Sequence, residues 1–383
     1  MKAVSLKSKD IHGILYSIAS DGDLRRRLAA VKLTMKITIS TNLPLWSLLG
    51  DLELINYECG ENEETMDIEY KHLLKHLQNT LIRAKCTTIN GVVLTLQVLK
   101  HHLLSLGIKD ERGVNALLSP KDKQDVKLMY NLLTSITSLS PPSSSMPPTE
   151  HKAQGTLTLL GHLYSHFIEV YTNVDILLND QLRYLSAAAH LAMAFYHEER
   201  GQDFPSQVIF DLMCMVKNLY CCVAKAKHDN INSKFFVILL GTDPLKHLFG
   251  CIQTIVGNDS NMDQYQLSNC IKSAIICSSI LDQHPDWEHR AHQLNLKNWK
   301  DQVGDVSTKV DHISPASWCG DVSLCPISLT TAWYQGHNTA EEVLTNAGWV
   351  PPFKKMVEGE GFDMFSLFGD NQKVCIHGKQ DGE

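Results

Sequence analysis

The strongest constraint on this chain is a succession of apolar stripes at helical spacing that begins at Tyr70 and runs past residue 220. Tyr70, Leu73, Leu74, Leu77 and Leu81 recur at three- and four-residue intervals, so they fall on one face of a helix. Acids before this segment and Arg83 and Lys85 at its end suit the helix dipole. Val92, Leu96, Leu99, Leu103 and Leu106 form the next stripe, stopped by Gly107. Ser119-Pro120-Lys121-Asp122 resembles a capping box, and Val126, Met129, Leu133 and Ile136 follow it on one face. Beyond a Ser/Pro-rich break at 138–149, three more helices are expected. One carries Leu157, Leu160, Tyr164, Phe167 and Tyr171. One is rich in small residues from Ser186 to Tyr196. One carries Val208, Leu212, Val216, Leu219 and Val223. Such stripes read as core faces, and the expected fold class is mostly α.

The flanks differ. Ile14–Ala19 reads as a strand, ending in Ser20-Asp21-Gly22-Asp23, and residues 24–36 read as a basic amphipathic helix. An acidic loop is expected from Glu58 to Glu69. Phe235–Gly241 reads as a buried strand or extended segment, Thr242-Asp243-Pro244 as a helix start, and Asp263–Leu281 as one further helix. Beyond His284 the chain reads as a loop-rich tail with a frayed end.

Composition narrows the function classes. The 383 residues are 44% apolar and 20% charged with a net charge of −7, so the chain is globular and does not look like a free-standing binder of duplex DNA. The eleven cysteines form no CxxC pair, which points to thiols in a reducing compartment, cytoplasmic or nuclear. No signal peptide is visible, and the longest apolar run, Phe235 to Leu240, is too short to span a membrane. Secretion and a membrane partner are not expected.

Phosphate loops, dinucleotide fingerprints, HExxH, GxSxG and EF-hand loops are all missing from the sequence. His289 and His292 have a ligand-like spacing but no recognisable third ligand, and the adjacent His101 and His102 point different ways on a helix. The basic stretch Arg25, Arg26 and Arg27 reads either as a contact for DNA phosphates or as a solvated helix face. A strand running into Ser-Asp-Gly reads either as a ligand-bearing strand exit or as a plain Asx turn. Asp21, Asp23 and Glu69 are the acids that would suit hydrated magnesium.

Taken together, three segments resemble the P-element/THAP-type and hAT-like DNA transposases. Ile14–Gly22 is similar to their strand and SDG turn. Glu69-Tyr-Lys-His72-Leu-Leu-Lys75-His-Leu-Gln-Asn79 is similar to their D-x-x-H-x-x-K-x-x-R-N block. Gly241-Thr-Asp243-Pro-Leu-Lys246-His-Leu-Phe249-Gly250, with Gly257–Asn261 after it, is similar to a late block of theirs. Almost the whole chain resembles a multicopy protein family of mushroom-type fungi, through Ile18–Arg26, the Gly241 block, Val256–Asn261 and His312–Val322.

The resemblance implies a partial RNase H-like α/β remnant over 1–85, a helical insertion domain over 86–234, late RNase H-like helices over 235–282 and the tail over 283–383. In an intact family site, three carboxylates hold two Mg²⁺ ions that clamp a phosphodiester. Here Asp21 matches one of them as a vestigial catalytic residue. The chain begins just before the SDG strand, so the first Asp is expected to be absent, and Lys246 stands where the Glu belongs. Glu69 replaces an Asp and Gln78 an Arg. With one carboxylate of three, the chain is expected to bind no metal cofactor and not to cut or join DNA. The partners to consider are DNA and a second copy of the chain. The other reading is an α-helical protein-interaction module with no nucleic-acid role.

Overall fold

A computed structural model describes residues 15–84, 86–89, 91–119, 126–198, 205–242, 263–283, 318–359 and 361–369, with scattered positions between 245 and 255. The protein is mostly helical, as the stripes require. Asp243, Lys246, the Ser119 capping box as a unit, the Val256–Asn261 block and the His289/His292 pair lie outside the described residues.

The chain enters through β1 (Ser17–Ser20), α1 (Leu24–Thr34), β2 (Ile37–Thr38), α2 (Trp46–Leu49), β3 (Glu58–Cys59), β4 (Thr65–Ile68) and α3 (Tyr70–Ile82). β1 and β4 run parallel with Ser20 opposite Ile68, and β2 pairs antiparallel with β3. The segment expected as an acidic loop, Glu58 to Glu69, therefore contains two strands, and all four residues of β4 are buried. Acids disguised β4. Thr65-Met66-Asp67-Ile68 does alternate polar and apolar, but the run is only four residues long amid acids, and both its faces, Asp67 included, are buried.

A hairpin follows, β5 (Thr87–Ile89) with β6 (Val92–Leu94). Val92 thus belongs to a strand and not to the helix expected to begin with it. Next come α4 (Leu96–Ser105), α5 (Glu111–Leu118), α6 (Val126–Thr137), α7 (Pro148–Thr172), α8 (Leu178–Glu198) and α9 (Ser206–Asp229). Pro148 sits in the first turn of α7, where its missing N–H costs nothing. The predicted core stripe of α7 is buried throughout.

α8 and α9 are buried on nearly every side. From Ala187 to Phe195, every residue of α8 is buried, and from Val208 to Lys225 every residue of α9 is. α9 is long and apolar enough to cross a membrane by length and composition, but protein covers it almost completely, as for the central helix of a packed core.

After α9, Phe235–Gly241 is not a strand. It makes a single 3-10 turn at Val237–Leu239 that buries Val237 and Ile238. α10 (Gln264–Gln283) matches the helix expected there. The region read as a loop-rich tail contains α11 (Leu329–Asn346) and the short α12 (Phe353–Val357). α11 lies along α8 and presents Ala332, Gly336 and Ala340, each four residues from the next. A Cβ on Gly336 would sit 2.5 Å from the Arg183 carbonyl and from the Ser186 side chain, so the two backbones meet there. Trp333 beside it is wholly buried, and its indole N–H donates to the Glu53 carbonyl at 2.9 Å.

The Trp318–Leu324 stretch, which includes the Trp-Cys-Gly-Asp-Val end of the His312 block, acts as a clasp. The N–H groups of Cys319 and Gly320 both donate to the Val174 carbonyl at 2.9 Å, and the Trp318 indole donates to Ile176. Phe235 N–H donates to Val322 and Leu324 N–H to Ser233. These bonds tie the α7–α8 corner to the segment leaving α9. One continuous hydrophobic core runs from Ala30 through α3 and α6–α9 to Phe368.

Candidate functional site

The SDG turn, Glu69 and the Gly241-Thr242 start of the third block meet at the carboxyl ends of β1 and β4. The SDG turn leaves β1 and Glu69 leaves β4, with the Glu69 N–H donating to the Ser20 carbonyl at 3.0 Å. Gly241 and Thr242 close over the end of β4. Thr242 donates to Glu69 Oε2 through its backbone N–H at 2.7 Å and its hydroxyl at 2.6 Å. Gly241 has φ of +98°, and a Cβ there would crowd Glu69 Oε2 at 3.2 Å, so glycine is required.

The SDG turn resolves as the Asx-turn reading has it. Asp23 N–H donates to Asp21 Oδ1 at 3.3 Å and Gly22 N–H to Ser20 Oγ at 3.3 Å, while Gly22 takes φ of +84°. Asp23 then caps α1, accepting from the N–H groups of Arg25 and Arg26. Asp21 forms an ion pair with Arg26 at 2.9 Å. Partial burial pushes the Asp21 carboxyl up, but the Asp23 N–H, the Arg26 guanidinium and His72 outweigh it and hold the group below the usual range.

The arginine triplet divides. Arg25 and Arg26 are exposed, whereas Arg27 is fully buried. Its Nε donates to Asp211 Oδ1 at 2.7 Å, and its Nη2 donates to Asp211 Oδ2 at 2.8 Å and to the Gly22 carbonyl at 2.6 Å. As a phosphate contact, Arg27 is therefore corrected to a clamp that holds the SDG turn onto α9. The reason is helical geometry: with its cap at Asp23, α1 turns Arg27 to the same side as the buried Ala30, Val31 and Thr34.

His72, Lys75 and Asn79 share one partly exposed face of α3. His76 on that face approaches Asp211 at 4.0 Å. Burial, followed by the Arg27 charge, drives its imidazole down to about 4, so it is neutral at physiological pH. Asp211 is pushed up to about 6 by burial, against the pull of Arg27.

Two features escaped the sequence reading. One is Asp67, fully buried in β4. Burial raises its carboxyl to about 7, the Gly241 N–H pulls it down, and Glu69 adds an upward push. Its Oδ2 has no hydrogen-bond partner among the described residues. The other is a buried polar stripe on α9, with Asp211, Asn218 and Lys225 spaced seven apart. Asp211 takes Arg27, Asn218 Oδ1 accepts from Thr65 Oγ1 at 2.7 Å, and Lys225 donates to the carbonyls of Tyr16 and Glu63. Lys217 adds a bond to Asn56 Oδ1 at 2.6 Å. A heptad-spaced polar stripe within an otherwise apolar helix was the signal available for it.

These donors do not fit the Mg²⁺ pair that the resemblance implies. Asp21 is engaged by Arg26, Glu69 by Thr242 and Asp211 by Arg27. Asp67 is sealed inside, and burial raises its carboxyl to about 7, so the charged and neutral forms are evenly balanced at pH 7. Among the described residues, no three His, Cys, Asp or Glu side chains converge in a metal-binding arrangement. What the arrangement can do is hold the ends of β1 and β4, α3 and α9 together. No protein-family model matches the chain, and neither does any curated protein or solved structure.

Proposed function

We propose that this chain is a transposon-derived protein, similar to a DNA transposase, whose strand-cleaving chemistry has been replaced by structural pairing. In this reading the parallel β1–β4 pair and its motif loops are a partial RNase H-like α/β remnant carried on the helical body. One observation supports it above the others. The SDG turn, the Glu69 block and Gly241-Thr242 meet at one pair of strand ends, yet their carboxylates are taken up by an arginine, a threonine and backbone N–H groups. The meeting of the blocks fits the family's arrangement. Among the described residues no three His, Cys, Asp or Glu side chains converge to take two hard cations. The remaining role is binding, with Arg25 exposed to DNA and Arg26 exposed beside it but paired with Asp21.

A second reading, a helical protein-interaction module, draws on α10, which exposes Tyr265, Ile275, Ile276 and Ile280. The test is incubation of the purified chain with labelled duplex DNA and Mg²⁺ or Mn²⁺, beside an Asp21→Ala control. Cleavage or joining equal to the control is the expected result. Activity above the control would sink the proposal. Salt-resistant binding to a defined DNA end would decide for DNA over the interaction module.

A further inference from the structure

We propose that the cleft between α7 and the C-terminal end of α11 is a binding site for a small organic anion with a flat apolar body. It shares no residue with the strand-end cluster. The cleft has a volume of about 370 Å³, within the range of small-molecule sites. Its walls are Pro142, Leu159, Val343 and Trp349, and Lys152 lines it as a cation with the His151 ring beside it. No carboxylate lines it.

The walls are fixed before any ligand arrives. The Ser/Pro-rich loop that supplies Pro142 is pinned to α7, since Gln154 Nε2 and Thr158 Oγ1 both donate to the Ser140 carbonyl, at 2.8 and 3.3 Å. Gln154 Oε1 is in turn fixed against His102 Nδ1 at 3.1 Å. Trp349 is held by its N–H bond to the Leu344 carbonyl and by edge contact with Phe195, ring centroids 5.5 Å apart. Gly155 keeps the space open, because its missing side chain leaves Pro142 as a bare wall 3.7 Å from the Cβ position.

The charge sets the ligand class. The carbonyls ending α11 are consumed by the turn after it, where Ala347, Gly348 and Trp349 donate back to Val343, Leu344 and Thr345, so they offer little acceptor field. Glu150, the carboxylate on the same turn of α7 as Lys152, lies 3.7 Å from His101. Lys152 joins none of the ion pairs among the described residues. An exposed ammonium over apolar walls favours a carboxylate, sulfonate or phosphate joined to an aromatic or similarly flat body.

The probe is 8-anilinonaphthalene-1-sulfonate, titrated into the full chain and followed by its fluorescence. One saturable site is expected. Lys152→Glu, at an exposed position that leaves the fold intact, weakens it by about tenfold or more, as loss and reversal of a charge-assisted contact should. Gly155→Phe places a ring in the cleft and abolishes the signal while circular dichroism stays native. The uncharged N-phenyl-1-naphthylamine binds about tenfold more weakly than the sulfonate. Fluorescence that both substitutions leave unchanged would place the probe elsewhere and overturn the site. Equal affinity for the charged and uncharged probes would overturn the ligand class.

Discussion

Asp67 makes the account of the strand ends measurable. Its carboxyl is buried in β4 with one oxygen unpartnered among the described residues, and its value rises from 3.8 to about 7. A rise of that size corresponds to a folded-state preference for the protonated form on the order of 4 kcal/mol. The folded protein then holds a proton that the unfolded chain gives up near pH 4. The stability linked to that proton is complete below about pH 4 and is lost as the pH rises through about 7. Asp67→Asn mimics the protonated acid, accepts the same Gly241 N–H and does not titrate. Equilibrium unfolding in guanidinium chloride, run from pH 4 to pH 8 on both proteins, reads the difference directly. Every other titrating group cancels to first order. The variant should gain on the native protein as the pH rises, by several kcal/mol over the range. A difference that stays flat with pH, or a variant that loses ground at pH 8, would show that burial does not raise the Asp67 carboxyl.

Two further substitutions bear on how the structure is held. Removing one side of the Arg27–Asp211 pair, by Asp211→Ala or Arg27→Met, should cost about 3–5 kcal/mol, because the partner is left buried without its counter-charge and hydrogen bonds. Replacing both together with apolar residues should cost far less than the two single changes combined, which a double-mutant cycle by chemical denaturation would show. Gly336→Ala should lower stability by about 1–2 kcal/mol even though alanine favours a helix by about 1 kcal/mol, because the added Cβ would lie 2.5 Å from the Arg183 carbonyl. Thermal unfolding checks this, and an unchanged or higher Tm would show that α8 and α11 are less tightly apposed.

The large-residue stripes were legible in the sequence because size and spacing carry the signal together. Tyr70 to Leu81, Leu157 to Tyr171 and Val208 to Val223 all became buried helix faces. α11 was not legible, because its contact face is built from Ala332, Gly336 and Ala340, which bury by closeness rather than by bulk. β4 was hidden by its inward acid, and Phe235–Leu240 reads as extended although a 3-10 turn buries it equally well. At the site, Asp21 and Glu69 could be picked out by motif. Their engagement by Arg26 and Thr242 could not, since Thr242 lies 173 positions along the chain from Glu69. Arg25, Arg26 and Arg27 look alike as letters, and the helix phase set by the Asp23 cap separates the buried one from the exposed pair.

Under the proposed function, the acids at the ends of β1 and β4 serve the fold and hold no catalytic cation. The most direct test is a Mn²⁺ titration of the native chain in which free ion is counted by electron paramagnetic resonance, repeated on Asp21→Asn. No stoichiometric site, and identical curves for the two proteins, are expected. Tight binding of one or two Mn²⁺ ions by the native chain, lost in Asp21→Asn, would contradict it.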